Sequence, residues 1–133
     1  MNRLYDYLSE NPRLRVYLPL KLYWLLIFVL TTIPGHALPK TIKLGDKIEH
    51  LLAYFGLSVL LFLTVHFKYE FSVKKISFIV ITVVALYGAF DEIHQLLIPF
   101  RSADWLDFFA DVLGGIIGIL IMRFFFGIIS KNC

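Results

Sequence analysis

Cysteine is all but missing from this chain. The only one, Cys133, is the last of 133 residues, so neither an intrachain disulfide nor thiol chemistry is expected. Any polar stretch long enough for a second domain is missing too. A length of 133 leaves room for one domain, 1–133, and four apolar runs occupy most of it. No cleavable signal peptide is expected, because Asp6 and Glu10 stand beside the leading bases and the apolar run from Leu18 is long for a signal core. The ionisable residues follow no recognised metal-ligand spacing, and no serine or cysteine nucleophile is expected in the cavity they would form. Neither a metal nor any other cofactor is therefore expected.

What the chain has in abundance is hydrocarbon. Hydrophobic residues make up 59% of it and its mean hydropathy is +0.75, well above a soluble domain. A span needs about 20 mainly apolar residues. Four fit, at 18–38, 47–67, 76–97 and 105–129. A soluble bundle would need polar faces that these segments lack. The expected fold class is all-α, an integral membrane bundle of four transmembrane helices.

The net charge of +3 would hint at nucleic acid in a soluble protein. Here the bases sit in loops, where orientation sets their position, and no nucleic-acid partner is expected. Arg3, Arg13, Arg15, Lys21, Lys68, Lys74, Lys75, Arg123 and Lys131 fall on one side; Lys40, Lys43, Lys47 and Arg101 fall on the other. That excess puts both termini in the cytoplasm. The start of span two, the end of span three and the start of span four then meet at the outer face. Ahead of the spans, 1–15 reads as a short interfacial helix with Leu4, Tyr5 and Leu8 on one side, broken at Asn11-Pro12. Span one reads as scaffolding, loosened at its outer end by Pro34-Gly35.

That outer face is where the polar residues gather. Ionisable groups near hydrocarbon cost a few kcal/mol each, so they line a cavity or pair with one another. In span two, Lys47, His50 and Tyr54 share a helical face. Asp46, with Glu49 three residues on, resembles a capping box. In span three, Gly88, Asp91, Glu92 and Gln95 cluster on one side, with His94 aside. Adjacent carboxylates need partners, and Arg101, Lys47 or His50 can supply them. The short loop 98–104 forces an antiparallel hairpin and brings Arg101 level with Asp107, so these two are expected to pair. Ser102 or Asp104 can cap span four. Asp104, Asp107, Asp111, Gly114 and Gly118 run down one stripe of it, and Asp111 lies about 6 Å deeper than Asp107. Gly114 and Gly118 are small residues at the spacing that lets helices approach closely, pressing span four against span two or three. Arg123 can snorkel to the inner head groups.

Asp46-Lys47 with His50 and Tyr54, Asp91-Glu92 with Gln95, Arg101, Asp107, and Gly114 with Gly118 resemble the VanZ-like family of small bacterial membrane proteins. The resemblance covers roughly 46–118; Asp111 departs from it, since the family commonly has Asn there. It implies a multi-pass protein of the bacterial inner (cytoplasmic) membrane. The family's named member confers low-level teicoplanin resistance without remodelling the peptidoglycan terminus.

Three readings follow from the residues. The first is a non-enzymatic envelope factor whose outward pocket takes membrane lipids, a lipid-linked envelope precursor or a lipoglycopeptide. Lys47, His50 and Arg101 would donate to a phosphate or carboxylate there. The second is an enzyme on a lipid-linked phosphate or sugar, using Asp91, Glu92, Asp107 and Asp111 as hard-cation ligands or as acid and base with His50. The third is a proton or ion relay, disfavoured because the inner halves of all four spans are nearly continuous hydrocarbon. The expected pocket is Lys47, His50, Tyr54, Asp91, Glu92, Gln95, Arg101, Asp107 and Asp111.

Overall fold

With no water to bond to in hydrocarbon, an apolar run must close its own backbone hydrogen bonds, and a helix does so within one segment. The computed structural model describes residues 3–34 and 43–131, and among them it is helical throughout apart from short connections. Helix α1 covers Arg3–Glu10. Asn11 and Pro12 interrupt it, and a single π-helical turn, Arg13–Tyr17, leads into α2, Leu18–Thr32. The remaining helices are α3, Lys43–Lys68, α4, Val73–Gln95, and α5, Trp105–Lys131. Four stretches are long and apolar enough to cross a membrane: Arg13–Thr32, Gly45–Lys68, Val73–Gln95 and Trp105–Gly127. The chain is a multi-pass helical membrane protein.

Local chemistry sets several boundaries. Ser72 caps α4, its hydroxyl accepting from the Lys75 amide at 3.3 Å. Of the two candidate caps for α5, Asp104 takes the role, its carboxylate accepting from the Leu106 amide at 2.9 Å. Two expectations are corrected. Helix α2 ends at Thr32, because Ile33 is already extended (φ −68°, ψ 127°), so it stops short of the expected 38; the rest of that first loop, including Gly35 and Lys40, lies outside the described residues. Helix α3 begins at Lys43, which puts Asp46 inside its first turn and rules it out as the cap.

The bundle is inside-out by the standard of a soluble protein. Leu22, Leu25, Phe78, Leu86, Ile93, Leu113, Leu120 and Phe124 are exposed, as lipid-facing residues should be. The buried stripe of α4 runs Ile76, Val80, Val84 and Gly88 and then turns polar at Asp91, Glu92 and Gln95. At the opposite end α1 reaches the bundle through Tyr5, whose ring lies 5.4 Å from Phe67 and 6.2 Å from Phe126. The N-terminal helix therefore shares an end with the C-terminal parts of α3 and α5, away from the polar cluster.

Helices α3 and α5 make the most extensive contact in the molecule. Glycine is what allows it. A Cβ at Gly114 would fall on the Leu51 carbonyl oxygen, with the Phe55 amide nitrogen at 3.0 Å. At Gly118 it would meet the Ser58 hydroxyl, with the Phe55 carbonyl oxygen at 3.0 Å. The pair thus presses span four on span two, and the orders of collision differ. Gly114→Ala meets immovable backbone and is expected to cost about 1–3 kcal/mol by overpacking. Gly118→Ala costs less, since the Ser58 hydroxyl can swing aside. Melting temperatures of the two purified variants test this ranking, and equal values would contradict it.

Candidate functional site

Three helix ends bring their polar residues to one level. Lys47, one turn into α3, holds α5 by its ammonium, 2.7 Å from the Asp104 carboxylate and in contact with Asp107. One turn deeper, His50 Nδ1 lies 2.9 Å from Asp111 Oδ1. One turn deeper again, the Tyr54 hydroxyl donates to Asp91 Oδ2 of α4 at 3.4 Å. The spacing of three and four residues on α3 is matched by a spacing of four on α5, so the two parallel helices meet rung by rung.

Helix α4 completes the cluster. Glu92 Oε2 accepts the Asp104 amide at 2.7 Å and so ties the end of α4 to the cap of α5. Asp91 and Asp107 each lie within electrostatic reach of Asp111, and Glu92 within reach of His50, Asp107 and Asp111. Asp91, Gln95 and Asp111 are at most 2% exposed. The opening is at the Lys47–Asp104 rung, where the two side chains keep 23% and 44% of their surface. Gly88 makes room below: a Cβ there would stand 3.0 Å from the Asp111 carboxylate.

The expected Arg101–Asp107 pair does not form. Lys47 takes Asp107 instead, and Arg101 turns outward to α2, Nε donating to the Ile33 carbonyl at 3.1 Å and Nη2 to the Leu30 carbonyl at 3.2 Å. The reason lies in the loop. Ile98, Pro99, Phe100 and Arg101 make a tight turn closed by the Arg101 amide on the Ile98 carbonyl at 3.2 Å, with Phe100 at φ 60°. Proline at the second position and a positive φ at the third form a turn that normally has glycine there. Arg101 emerges from it beside the end of α2, where it adds a donor to the Leu30 carbonyl, already bonded by the Ile33 amide at 3.3 Å, and takes the Ile33 carbonyl. Its task here is to cap α2.

Eight of the nine expected pocket residues, Lys47, His50, Tyr54, Asp91, Glu92, Gln95, Asp107 and Asp111, come together; Arg101 stands at the rim. His94 lies aside as expected, stacked between Phe28 at 5.1 Å and Phe90 at 5.9 Å. Other residues were hidden in the sequence. Asp104 reads as a plain helix cap, yet it binds Lys47, Glu92 and its own helix at once. Thr31 of the scaffolding span is buried, with its side chain toward Asp91. Tyr87 packs between Trp24 at 5.2 Å and Tyr54 at 5.9 Å and closes the floor. A hydroxyl in an apolar span is the only signal that could have flagged the last two.

The network is not closed on itself. Glu92 Oε1, Gln95 Nε2 and Asp111 Oδ2 are buried without a hydrogen-bond partner among the described residues. Buried polar atoms in native proteins are nearly always satisfied, so these three call for an occupant such as water, an ion or a ligand group.

No match exists among the curated proteins or the solved structures. The sequence model of the VanZ/LLP1 family does match, over residues 10–126, spanning every helix of the site. The chain belongs to the VanZ/LLP1 family.

Proposed function

We propose that this VanZ/LLP1 protein is an envelope factor of the bacterial cytoplasmic membrane. In this reading both termini are cytoplasmic and the cluster opens to the outer leaflet, where it receives a lipid-linked envelope component or an acylated glycopeptide such as teicoplanin. The observation that carries the reading is the set of unpartnered buried atoms on Glu92, Gln95 and Asp111 behind a rung that water can reach. A network kept only to pin helices together would satisfy its own members.

The geometry also revises the ligand chemistry. Lys47 is held by Asp104 and Asp107, and Arg101 by carbonyls, so neither cation is free for a phosphate. Carboxylates dominate what remains. They favour head groups rich in hydroxyls or ammonium, which both sugars and the amines of a glycopeptide supply. The chain in lipid nanodiscs should bind teicoplanin, and Gln95→Ala should weaken binding about tenfold, the worth of one lost buried hydrogen bond of roughly 1.4 kcal/mol. Identical binding by the variant and the parent would defeat the proposed site. Orientation is tested with a double variant, Cys133→Ser with Ser102→Cys, whose single thiol lies in the loop before α5. An impermeant maleimide should label that thiol in intact cells, and labelling only after lysis reverses the topology.

The His50–Asp111 contact favours a second reading. A carboxylate on one ring nitrogen fixes the imidazole and leaves the other nitrogen as a general base, which suits hydrolysis or transfer at a lipid-linked phosphate or sugar. Release of labelled phosphate or sugar from polyprenyl-linked substrates by the purified chain would establish it; a consistent lack of turnover would leave the binding reading.

A further inference from the structure

We infer that His50, Glu92 and Asp107 hold one divalent transition-metal cation, with Asp111 orienting the imidazole. Each of the three offers a ligand atom, and these atoms lie within 4.8 Å of one another. Nitrogen and oxygen ligands stand about 2.0–2.2 Å from such a cation. Trans ligands are then just over 4 Å apart, so small side-chain rotations close the set. The ligands come from α3, α4 and α5, which is why no spacing in the sequence announced them.

Three independent observations point to an occupant rather than to a bare acidic cluster. The first is that Glu92, one of the three ligands, is 8% exposed and its Oε1 has no partner among the described residues. The second is the orientation of His50. Its Nδ1 is engaged by Asp111 at 2.9 Å, leaving Nε2 for a cation. A carboxylate on the far nitrogen of a ligating histidine is the usual outer shell of a metal site. The third is charge. Among the described residues, Asp91, Glu92, Asp107 and Asp111 are faced by one ammonium, Lys47, and two imidazoles, His50 and His94, with Arg101 turned toward carbonyls. A dication offsets that surplus of carboxylates where water is scarce. Lys47 occupies Asp107 Oδ1, so the cation takes the other oxygen.

One imidazole with two carboxylates selects manganese, iron, cobalt or zinc over magnesium or calcium, which prefer oxygen alone. Because its ligands span three helices, the bound cation also clamps the mouth of the bundle. The inference does not depend on the identity of any docked lipid or glycopeptide.

Manganese is the probe, added to the purified full-length chain in detergent and read by electron paramagnetic resonance. The expected result is one bound Mn²⁺ per chain, with electron spin-echo modulation from a coordinated imidazole nitrogen. Glu92→Gln and Asp107→Asn should each weaken binding at least tenfold. Asp111→Asn, which acts only through His50, should weaken it about tenfold, as loss of an outer-shell partner does. His50→Asn should abolish the nitrogen modulation. No bound Mn²⁺, bound Mn²⁺ without that modulation, or unchanged affinity in Glu92→Gln and Asp107→Asn would each overturn the site. Should either variant fail to fold, the parent's nitrogen signal still decides. A chain that binds teicoplanin but no metal would overturn this inference and leave the docking reading standing.

Discussion

Lys47→Ala is expected to cause the largest loss of stability of any single change in the cluster. The ammonium is the fixed cation between Asp104 and Asp107, and the Asp107 side chain keeps only 5% of its surface. Removing the cation leaves a carboxylate in a place with little water to replace it. Breaking one side of a buried pair costs about 3–5 kcal/mol, and the partial exposure of Lys47 puts this case near the lower figure. The cost belongs to the stranded charge rather than to the attraction itself. Lys47→Met with Asp107→Leu should therefore melt close to the parent, because the two neutral side chains are suited to their surroundings. Thermal melting followed through Trp24 and Trp105 would show a low single variant and a recovered double one. If the single variant melts with the parent, the rung contributes nothing to the fold.

Most of the architecture was legible because its signals are local. Span lengths, the helical stripe on α4 and the aspartate and glycine stripe on α5 each follow from the period of one helix. Once loops force neighbours antiparallel, those stripes face each other, so eight of nine expected site residues converge. The failures have a different origin. Arg101 was assigned to Asp107 by proximity along the chain, but a turn at Pro99-Phe100 re-aims it, and Lys47, sixty residues from Asp107, is closer in space. Asp46 reads as a cap because Glu49 stands three residues on, but the helix already runs from Lys43.

The same limit hid the metal ligands and the floor. His50, Glu92 and Asp107 come from three helices, and no spacing within one helix can express a relation between three. Thr31 and Tyr87 sit in apolar runs where a hydroxyl is commonplace, since it can bond its own backbone; Thr31 in fact donates to the Phe28 carbonyl at 3.1 Å. What distinguishes them is their neighbours. Depth, by contrast, was readable: rungs at Lys47, His50 and Tyr54 against Asp107, Asp111 and Asp91 descend by about one turn each. Every rung holds a carboxylate, and its partner on α3 passes from ammonium at the water-facing end to imidazole and then to phenol.

If the protein docks teicoplanin as proposed, His50→Asn is expected to remove the resulting change in teicoplanin susceptibility while leaving the fold intact. The asparagine amide can stand where the imidazole Nδ1 stands, so it can still donate to Asp111, but it offers nothing where Nε2 was. Melting should stay within about 4 °C of the parent, a change under roughly 1 kcal/mol. His50→Ala is a poorer test. It leaves Asp111, fully buried, with both oxygens unpartnered, at a cost of about 1–3 kcal/mol, and a lost phenotype could then reflect a lost protein. Cells expressing His50→Asn at parental levels should be as susceptible to teicoplanin as cells without the protein. Susceptibility matching the parent would mean that the second nitrogen of His50 is idle. Docking, acid–base chemistry and cation binding at this rung would all lose the group they share.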